Sequence, residues 1–473
     1  MAVPTLAEAI KTVATLAIPN VLSFLVMICS GQATIQCFAK AENTLAVSGV
    51  GLGGFIFSMF GLAIGLGLSG ALDTVVSQSM GAGDYKTASI NLAQARLVTL
   101  IASLPCGAIL WMTEPLLLLL KQDPRHAALA GAFIKYQLIG LIPLFWFCAL
   151  GCFVRACNRT NAPLVANIFG SGFHVIASII LNYALGYGVE VAGIIAAVGN
   201  IIRWVVLEVY IQSSLSNEER DICSLPAFVR TIFDRSSSKK LVAGMGTFVA
   251  LALPSSAMMW SEWFAAELQT LIAGWTDFDY VDANVKMASA TVFAFMFAVG
   301  ISNTSSYLVG SSLGKNEPEV AKRYCEAASA LVGGVMAVVA LCFFASMSFW
   351  TGSDVQCIKA FPFVCSFMWI DGMQNVLEGI IRGCGLQKVA VWVKMICMLG
   401  IRIALCFVLC MGLQMGVAGL WLGSSLAMII SSTIFVFMLF RVNFAERAET
   451  VSAAAKKEGA TQEPAKVGSP SDV

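Results

Sequence analysis

Residues 67–88, GLSGALDTVVSQSMGAGDYKTA, align with residues 300–321, GISNTSSYLVGSSLGKNEPEVA, at an offset of 233 residues (300 minus 67). Three shorter matches keep nearly this offset and follow the same order along the chain. They pair Ala17-Ile18-Pro19 with Ala252-Leu253-Pro254, Arg155-Ala156-Cys157 with Arg382-Gly383-Cys384, and Val191-Ala192-Gly193 with Val417-Ala418-Gly419. Four ordered matches indicate a duplicated unit of roughly half the chain.

The composition is that of a membrane protein. Of the 473 residues, 58% are hydrophobic and only 12% are charged, whereas a soluble protein carries about 25% charged residues. The apolar runs are long and recur along the whole chain, which predicts many membrane spans. A net charge of +1 argues against nucleic acid as a partner. The expected partners are the lipid bilayer and a small organic substrate.

Twelve apolar segments are long enough to span a bilayer at about 20 residues each. They lie near 14–37, 50–78, 95–113, 129–154, 164–186, 190–211, 244–274, 287–312, 327–350, 358–381, 389–412 and 416–440. The predicted fold is therefore all-α and polytopic, with a six-helix bundle in 1–225, a second in 226–444 and a disordered cytosolic tail in 445–473. Two repeated halves in such a chain are typical of secondary transporters.

The distribution of basic residues predicts the orientation. Of the 29 lysines and arginines, 21 fall in one set of loops and six in the other, Lys394 being counted with the larger set. Basic residues favour the cytosolic side, so both termini and the loop 213–243 are expected in the cytosol. With an even number of spans in each half, the halves insert the same way up and form a parallel repeat.

Several acids fall inside the predicted spans. Span seven carries Glu262 and Glu267, and span ten carries Asp371 near mid-depth. Charge at this depth is costly, by about 2.5–3.5 kcal/mol on insertion scales, and usually marks a pathway or a relay. Because burial disfavours the ionised form, such carboxyl groups can exchange protons near neutral pH. Glu262, Glu267 and Asp371 are therefore the predicted proton- and substrate-binding residues.

Buried ion pairs that only hold helices together are the alternative interpretation. Arg402, in span eleven at matching depth, is the expected partner of Asp371.

Two further acids lie closer to the cytosolic ends of their spans. For Glu378 and Asp73 we expect structural pairs with basic residues at the same end, namely Arg382, Lys86 or Arg96.

Other polar and aromatic residues carry weaker signals. Arg402, Trp263, Asn20 and Gln36 are candidates for lining the cavity or balancing its charge. Two histidines and 15 scattered cysteines show no metal-ligand spacing, so no metal is expected. The chain has no Walker motif, which argues against ATP as the energy source. No cofactor is expected beyond a proton gradient, with sodium as the alternative coupling ion. The sequence shows no candidate nucleophile, histidine pair or metal cluster, so it gives no indication of an enzyme.

Four pieces of the chain resemble the MATE (multidrug and toxic compound extrusion) transporters. These are GALDTVVSQSMGAG, LALPSSAMMWSEWFAAE, GISNTSSYLVGSSLG and DGMQNVLEGIIRGCGLQK. The likeness is greatest to the eukaryotic branch, including its plant detoxification-type members, and covers nearly all of the chain except the tail. It implies two six-helix bundles around a central cavity, and a second-half cation site at Glu262, Glu267 and Asp371.

The resemblance also implies export of organic cations or other small organic compounds by alternating access, mostly in exchange for protons. The sequence departs from the family at two places. A glutamate that many animal members carry on the eighth helix is replaced by Ser289, and the aspartate that many bacterial members carry on the first helix is absent. We expect a monomeric antiporter in the plasma membrane or a vacuolar or endosomal membrane. The alternatives are efflux of organic anions such as citrate, which Arg402 or Arg203 at the cavity would favour, and a flippase for lipids or lipid-linked sugars.

Overall fold

The computed structural model describes residues 3–214, 224–276 and 278–460, which are predominantly helical. Eleven helices are long and apolar enough to cross a membrane, and the 30-residue helix Val355–Cys384 joins them as a twelfth. In chain order these helices are α1 Leu6–Lys40, α2 Thr44–Gly81, α3 Tyr85–Trp111, α4 Pro124–Ala156, α5 Asn161–Ala184, α6 Val189–Ser213, α7 Leu241–Thr276, α8 Tyr280–Gly314, α9 Pro318–Ala345, α10 Val355–Cys384, α11 Gln387–Gly412 and α12 Val417–Phe440. The predicted all-α fold with twelve spans is confirmed for the described residues.

Helix α10, which is added here to the eleven apolar helices, is the most polar of the long helices. It carries Asp371, Glu378 and Arg382 and packs between α8 and α12, with most of its second half buried. These three charges are tolerated at membrane depth because protein, and not lipid, surrounds the polar positions in this half of the helix.

Local sequence explains where several helices begin and end. Thr5 and Glu8 form a capping box at the start of α1, where the Glu8 amide donates to Thr5 Oγ1 at 3.3 Å and the Thr5 amide donates to Glu8 Oε2 at 2.8 Å. Asp354 caps α10 by accepting from the Gln356 amide at 2.9 Å. Gly385 ends α10 at φ +72°, a left-handed conformation that favours glycine.

Each half of the chain has its own apolar core. Buried residues of α2 to α6 form one core and those of α8 to α12 form the other. The first helix of each half crosses to the other core. Val13 of α1 packs in the second-half core, and Phe248 of α7 packs in the first-half core. The two six-helix lobes are therefore held together by the packing of α1 and α7 into each other's lobes, as well as by the chain segment that connects them.

The lobes contact each other through glycines that are equivalent in the internal repeat. A Cβ on Gly67 of α2 would lie 2.4 Å from Ser256 Cα of α7, and a Cβ on Gly300 of α8 would lie 2.7 Å from the Val21 amide nitrogen of α1. Gly67 pairs with Gly300 in the repeat, and Val21 lies two residues after Pro19 as Ser256 does after Pro254. The same backbone approach is thus made twice, as expected for two copies related by a pseudo-twofold axis.

A second pair of glycines closes the end of the molecule at which α1 begins and α12 ends, which we call the terminal face. A Cβ on Gly81 would lie 2.2 Å from the Ser311 carbonyl oxygen, and a Cβ on Gly314 would lie 2.1 Å from the Gln78 carbonyl oxygen. Only residues without a side chain allow α2 and α8 to approach this closely.

Alanine at both Gly81 and Gly314 is expected to force α2 and α8 apart and to destabilise the closed terminal face by about 1–3 kcal/mol, as overpacking does. The measurement is thermal unfolding of the purified protein in detergent. Gly334→Ala is the matched control, because a Cβ there meets nothing within 4 Å. Equal unfolding temperatures for the double variant and the control would contradict the expectation.

The tail is helical further than its composition predicted. A helix spans Phe444–Ala460, so the expected disorder from 445 onward is wrong as far as 460, and 461–473 lie outside the described residues. Asn443 accepts from the Glu446 amide at 3.3 Å and so caps this helix. Arg447 donates to the Cys384 carbonyl oxygen at 2.8 Å, where the free carbonyls at the end of α10 favour a cation. The placement of the boundary between the bundles at 225/226 stays a prediction.

Candidate functional site

The predicted acids of the second half line one cavity of about 280 Å³. Glu262 and Glu267 come from α7, Asp371 from α10, and Phe55 and Ser58 of α2 complete the wall from the other lobe. Trp263 and Arg402 also line the cavity, and Trp263 packs edge-on against Phe295 at 6.4 Å between ring centroids. We call this the second-lobe cavity.

Helix irregularities place two of the lining residues. The helix α2 widens to a π-helical segment at Ser58–Leu62, and α11 does so at Ile396–Arg402. A π-helical turn rotates the side chains on either side of it relative to a regular α-helix and is common at functional sites. Ser58 and Arg402 lie at the ends of these two segments, facing the second-lobe cavity.

Glu262 and Asp371 form the centre of the cluster. Both side chains line the second-lobe cavity and are almost fully buried. Two carboxyl groups buried in one cavity repel each other when both are ionised, which favours protonation of one of them. Asn375 supports Asp371 by donating to its Oδ1 at 3.3 Å. The two acids, which come from different helices, therefore provide a site at which a proton can be bound.

A buried lysine that the sequence analysis placed in a loop completes the cluster. Lys394 Nζ lies 2.7 Å from Glu262 Oε2 and 2.5 Å from Glu378 Oε1, and the lysine side chain is fully buried. The assignment of Lys394 to the cytosolic loops is wrong, because Lys394 lies two turns inside α11 and points toward α7 and α10. The predicted pairing of Glu378 with Arg382 is wrong for the same reason, since Lys394 occupies that position.

Glu267 has a different environment from the other acids. Its side chain is half-buried at the cavity wall. Among the described residues, no hydrogen-bond or ion-pair partner of Glu267 is found. The two acids of α7 thus line one cavity, but only Glu262 is held by protein partners.

Arg402 is not an ion-pair partner of Asp371, contrary to the sequence-based expectation. Its Nη2 donates to Gln269 Oε1 at 2.8 Å and its Nε donates to Ser424 Oγ at 3.0 Å. The guanidinium also lies over the Phe367 ring, 5.7 Å from its centroid. Neutral acceptors and an aromatic face hold Arg402 at the cavity wall, and its charge still lowers the cost of the nearby carboxylates.

Other predicted site residues lie elsewhere. Asn20 is buried at the contact between the lobes, where its Nδ2 donates to Thr304 Oγ1 at 2.9 Å. Gln36 is exposed near the end of α1. It lines neither the second-lobe cavity nor the cavity of the first lobe that is described below. Ser289 donates to the Val285 carbonyl oxygen and is exposed, and Asn284 and Thr291 are the polar residues that α8 contributes to the second-lobe cavity.

Asp73 joins the two lobes near the terminal face. One carboxylate oxygen lies 3.8 Å from Arg155 Nη2 and the other lies 4.0 Å from Arg382 Nε. Of the three predicted partners, Arg382 is therefore confirmed for Asp73, whereas Lys86 and Arg96 do not pair with it. Arg155 and Arg382 are equivalent in the internal repeat, and Asp73 lies between them.

Polar contacts beside this acid continue the junction between the lobes. Thr74 Oγ1 donates to the Arg382 carbonyl oxygen at 2.6 Å. Arg96, which was a predicted partner of Asp73, instead pairs with Glu208.

The first lobe contains a cavity of about 370 Å³ that the sequence analysis did not identify. Arg203, Asn200, His174 and Ser30 line it, and no described acid does. Phe55 and Ser58 line this cavity as well as the second-lobe cavity, so the two cavities adjoin at α2. We call it the first-lobe cavity. The only signal in the sequence was Arg203 inside a span, because small polar residues alone do not distinguish a cavity from helix packing.

Two lobes of six helices, with charged cavities between them and charges at membrane depth, define a membrane transporter. Comparison with known proteins gives the family. A family model described as MatE matches residues 19–180 and 254–408. The matched segments begin at Pro19 and Pro254, which are also paired in the internal repeat.

Similar proteins extend over nearly the full chain. Protein DETOXIFICATION 9 of Arabidopsis thaliana is 29% identical over 454 residues, covering 92% of this chain and 88% of the relative. Multidrug and toxin extrusion protein 1 of Danio rerio is 24% identical over 92% of this chain and 72% of its own length. The crystal structure of the eukaryotic MATE transporter AtDTX14 has the same fold, with a TM-score of 0.87 at 19% identity over 95% of this chain and 99% of that one.

Because the MatE model matches well over half of the residues, this chain belongs to the MATE family of multidrug and toxin extrusion transporters. It resembles the plant members, as its DETOXIFICATION relatives indicate. It is an efflux transporter of the membrane, with small molecules as the class of substrate that the family handles.

Proposed function

We propose that the protein exports organic cations in exchange for protons, as a single chain that alternates between two orientations. The observation that carries the proposal is the second-lobe cavity, where three carboxyl groups from two helices meet at membrane depth. A site with acids binds a cation when the acids are ionised and releases it when they are protonated. One site can therefore couple proton entry to cation export, because the proton and the cation bind to it at different times.

The acids differ in their partners, which supports a different role for each of them. Lys394 lies between Glu262 and Glu378 and favours the ionised form of both. Asp371 has no cation within ion-pair distance among the described residues and lines the same cavity as Glu262. Glu267 faces the cavity and has no partner in the described part of the chain. Asp371 and Glu267 are then the groups that gain and lose a proton, while Glu262 stays paired with Lys394.

The orientation of the cavities fits an outward-open state. The first-lobe cavity is lined by the later part of α1 and the earlier part of α2, and the second-lobe cavity is lined by the equivalent parts of α7 and α8, away from the closed terminal face. The bias of basic residues puts the terminal face in the cytosol. An external proton then reaches the acids, the cation leaves, and the lobes reorient by opening at Gly81 and Gly314. The membrane is the plasma membrane or that of a vacuole or endosome.

The proton supplies enough energy for useful accumulation. Exchange of one proton for one monovalent cation moves no net charge, so the membrane potential cancels and the pH difference drives the exchange. Each pH unit supports a cation gradient of about ten-fold, or about 1.4 kcal/mol, and no ATP is needed.

Glu262→Gln is the variant that tests the coupling. In proteoliposomes with a pH gradient, wild type is expected to move a fluorescent organic cation against its concentration gradient. Glu262→Gln removes the negative charge that Lys394 contacts and cannot bind a proton in the pH range of the assay, so gradient-driven transport should be lost. Glu319→Gln, at an exposed position on α9, is the control. Normal transport by Glu262→Gln at all pH values would refute the coupling mechanism.

Efflux of organic anions is the second candidate, and one observation favours it. Arg203 and Arg402 each line a cavity without an ion-pair partner within the described residues. Transport of an aromatic carboxylate such as fluorescein by the same proteoliposomes, with no movement of the cation, would favour this candidate.

A further inference from the structure

The first-lobe cavity contains a buried cation that no acid neutralises. Arg203 is 4% exposed. Its Nη1 donates to Asn200 Oδ1 at 2.6 Å, and its Nη2 donates to Ser30 Oγ at 2.9 Å and to Ser171 Oγ at 3.0 Å. Its Nε, also buried, has no hydrogen-bond partner among the residues that the structure describes. All of its acceptors are neutral side chains, so the positive charge is held in place but not balanced.

Other buried cations in the described part of the chain are balanced. Arg155 lies 3.8 Å from Asp73, Lys394 lies 2.7 Å from Glu262, and Arg96 pairs with Glu208. Arg402 makes no ion pair, but it lines a cavity with three acids. Arg203 alone among them lines a cavity without a described acid.

Two neighbours of Arg203 also keep hydrogen-bond donors that their contacts with Arg203 do not use. Asn200 uses its carbonyl oxygen to accept from Arg203, so its amide group still has two N–H donors at the cavity wall. Ser171 accepts from Arg203 through Oγ and retains its own hydroxyl proton. Ser30 donates its proton to the Met27 carbonyl oxygen at 2.7 Å and is satisfied. The site therefore offers a fixed positive charge together with amide and hydroxyl donors.

A buried charge without a counter-ion is costly, and a carboxylate is the ligand that would relieve the cost. Guanidinium groups bind carboxylates through charge-assisted hydrogen bonds, and a preorganised guanidinium loses little freedom when it does so. An organic cation gains nothing in this cavity, because the only charge there has the same sign. The first-lobe cavity and the second-lobe cavity thus select opposite charges and adjoin at Phe55 and Ser58.

We propose that the first-lobe cavity binds a carboxylate of the transported molecule through Arg203 and Asn200, so that the preferred substrates are zwitterions. This inference rests on the proposed function, since the cationic group of the same molecule occupies the second-lobe cavity. Protonation of the second-lobe acids then releases only one end of the substrate. Arg203 stays charged throughout the transport cycle, and its contact with the carboxylate determines which cationic molecules are accepted as substrates.

A matched pair of dyes tests the proposal. Rhodamine B carries a cationic xanthene and a free carboxylate, and its ethyl ester carries the same xanthene without the negative charge. Binding of both dyes to the purified full chain is measured by fluorescence anisotropy. Wild type is expected to bind rhodamine B more tightly than the ester. Arg203→Gln should weaken binding of rhodamine B by about ten-fold or more, the size expected for a lost charge-assisted hydrogen bond, and should leave the ester unchanged.

Two more variants keep the result interpretable. Arg203→Lys retains the charge and should retain part of the preference for rhodamine B, even if the loss of the fork geometry lowers stability. Arg159→Gln, at an exposed position after α4, should behave as wild type. Equal binding of both dyes by wild type, or an equal loss of both in Arg203→Gln and Arg203→Lys, would overturn the proposal.

Failure of this inference differs from failure of the proposed function. If the ester is exported under a pH gradient and rhodamine B has no advantage, cation export stands and the carboxylate site falls. If fluorescein binds through Arg203 but the ester neither binds nor moves, the zwitterion proposal falls together with cation export, and organic-anion efflux takes their place.

Discussion

Replacing Lys394 by methionine is expected to abolish transport and to lower the free energy of unfolding by about 3–5 kcal/mol, the usual cost of removing one partner from a buried ion pair. Methionine has a similar length and fits an apolar site, so the loss comes from charge and not from volume. Glu262 and Glu378 would be left together in the bundle without the ammonium that lies 2.7 Å from Glu262 and 2.5 Å from Glu378.

Thermal unfolding and proteoliposome transport measure the two effects separately. Lys388→Met is the matched control, because Lys388 lies on the same helix and is exposed. The double variant Lys394→Met with Glu378→Gln should recover part of the stability, since only one buried acid then lacks a cation. It should not recover coupled transport, because Glu262 still lacks its partner. Wild-type stability and transport in Lys394→Met would show that the lysine has neither role.

Much of the fold could be predicted because it depends on patterns along the chain. Apolar runs of about 20 residues locate the spans whatever their neighbours are. The repeat predicted equivalent helices, and the contacts of Gly67 with Ser256 and of Gly300 with Val21 follow that equivalence. The resemblance to the MATE family gave the three acids of the second-lobe cavity, and the depth of those acids in the spans agreed with it.

The partners of the charges could not be predicted, because they depend on how each helix is rotated and on which neighbours face it. Lys394 is close to the start of its span, and rules for orientation treat such residues as loop charges. For Asp73 the sequence left three basic residues open, and only the packing of α2 against α10 across the contact between the lobes selects Arg382 among them. The contact of Asp73 with Arg155 was not predicted.

The first-lobe cavity was missed for a related reason. Its polar lining residues are spread over α1, α2, α4, α5 and α6 and lie among apolar ones, so no single segment reveals the cavity. Arg203 was noted as a charge within a span but could not be placed until α6 was packed against α5, where Arg203 reaches Ser171. An isolated cation in a span is a stronger indication of a site when no acid of the same half is available at its depth.

Glu267→Gln is expected to weaken binding of an organic cation by at least about ten-fold at neutral pH, as for a lost contact to a charged group, without lowering the unfolding temperature. The reason for both results is the environment of Glu267. It lines the cavity and has no partner within the described residues, so glutamine leaves no buried group unsatisfied. Glu262→Gln, in contrast, removes an acceptor from the fully buried Lys394 and should lower stability as well as transport.

The dependence on pH provides a sharper test of the same residue. In wild type, acidification should weaken cation binding, because a protonated carboxyl group attracts a cation less than a carboxylate does. Glutamine imitates the protonated state, so Glu267→Gln should bind weakly at every pH, with a smaller change on acidification. Asp371 should account for the change that remains, and Asp371→Asn combined with Glu267→Gln should remove it. If Glu267→Gln binds the cation as tightly as wild type and with the same pH dependence, Glu267 does not contact substrate, and proton exchange rests on Glu262 and Asp371 alone.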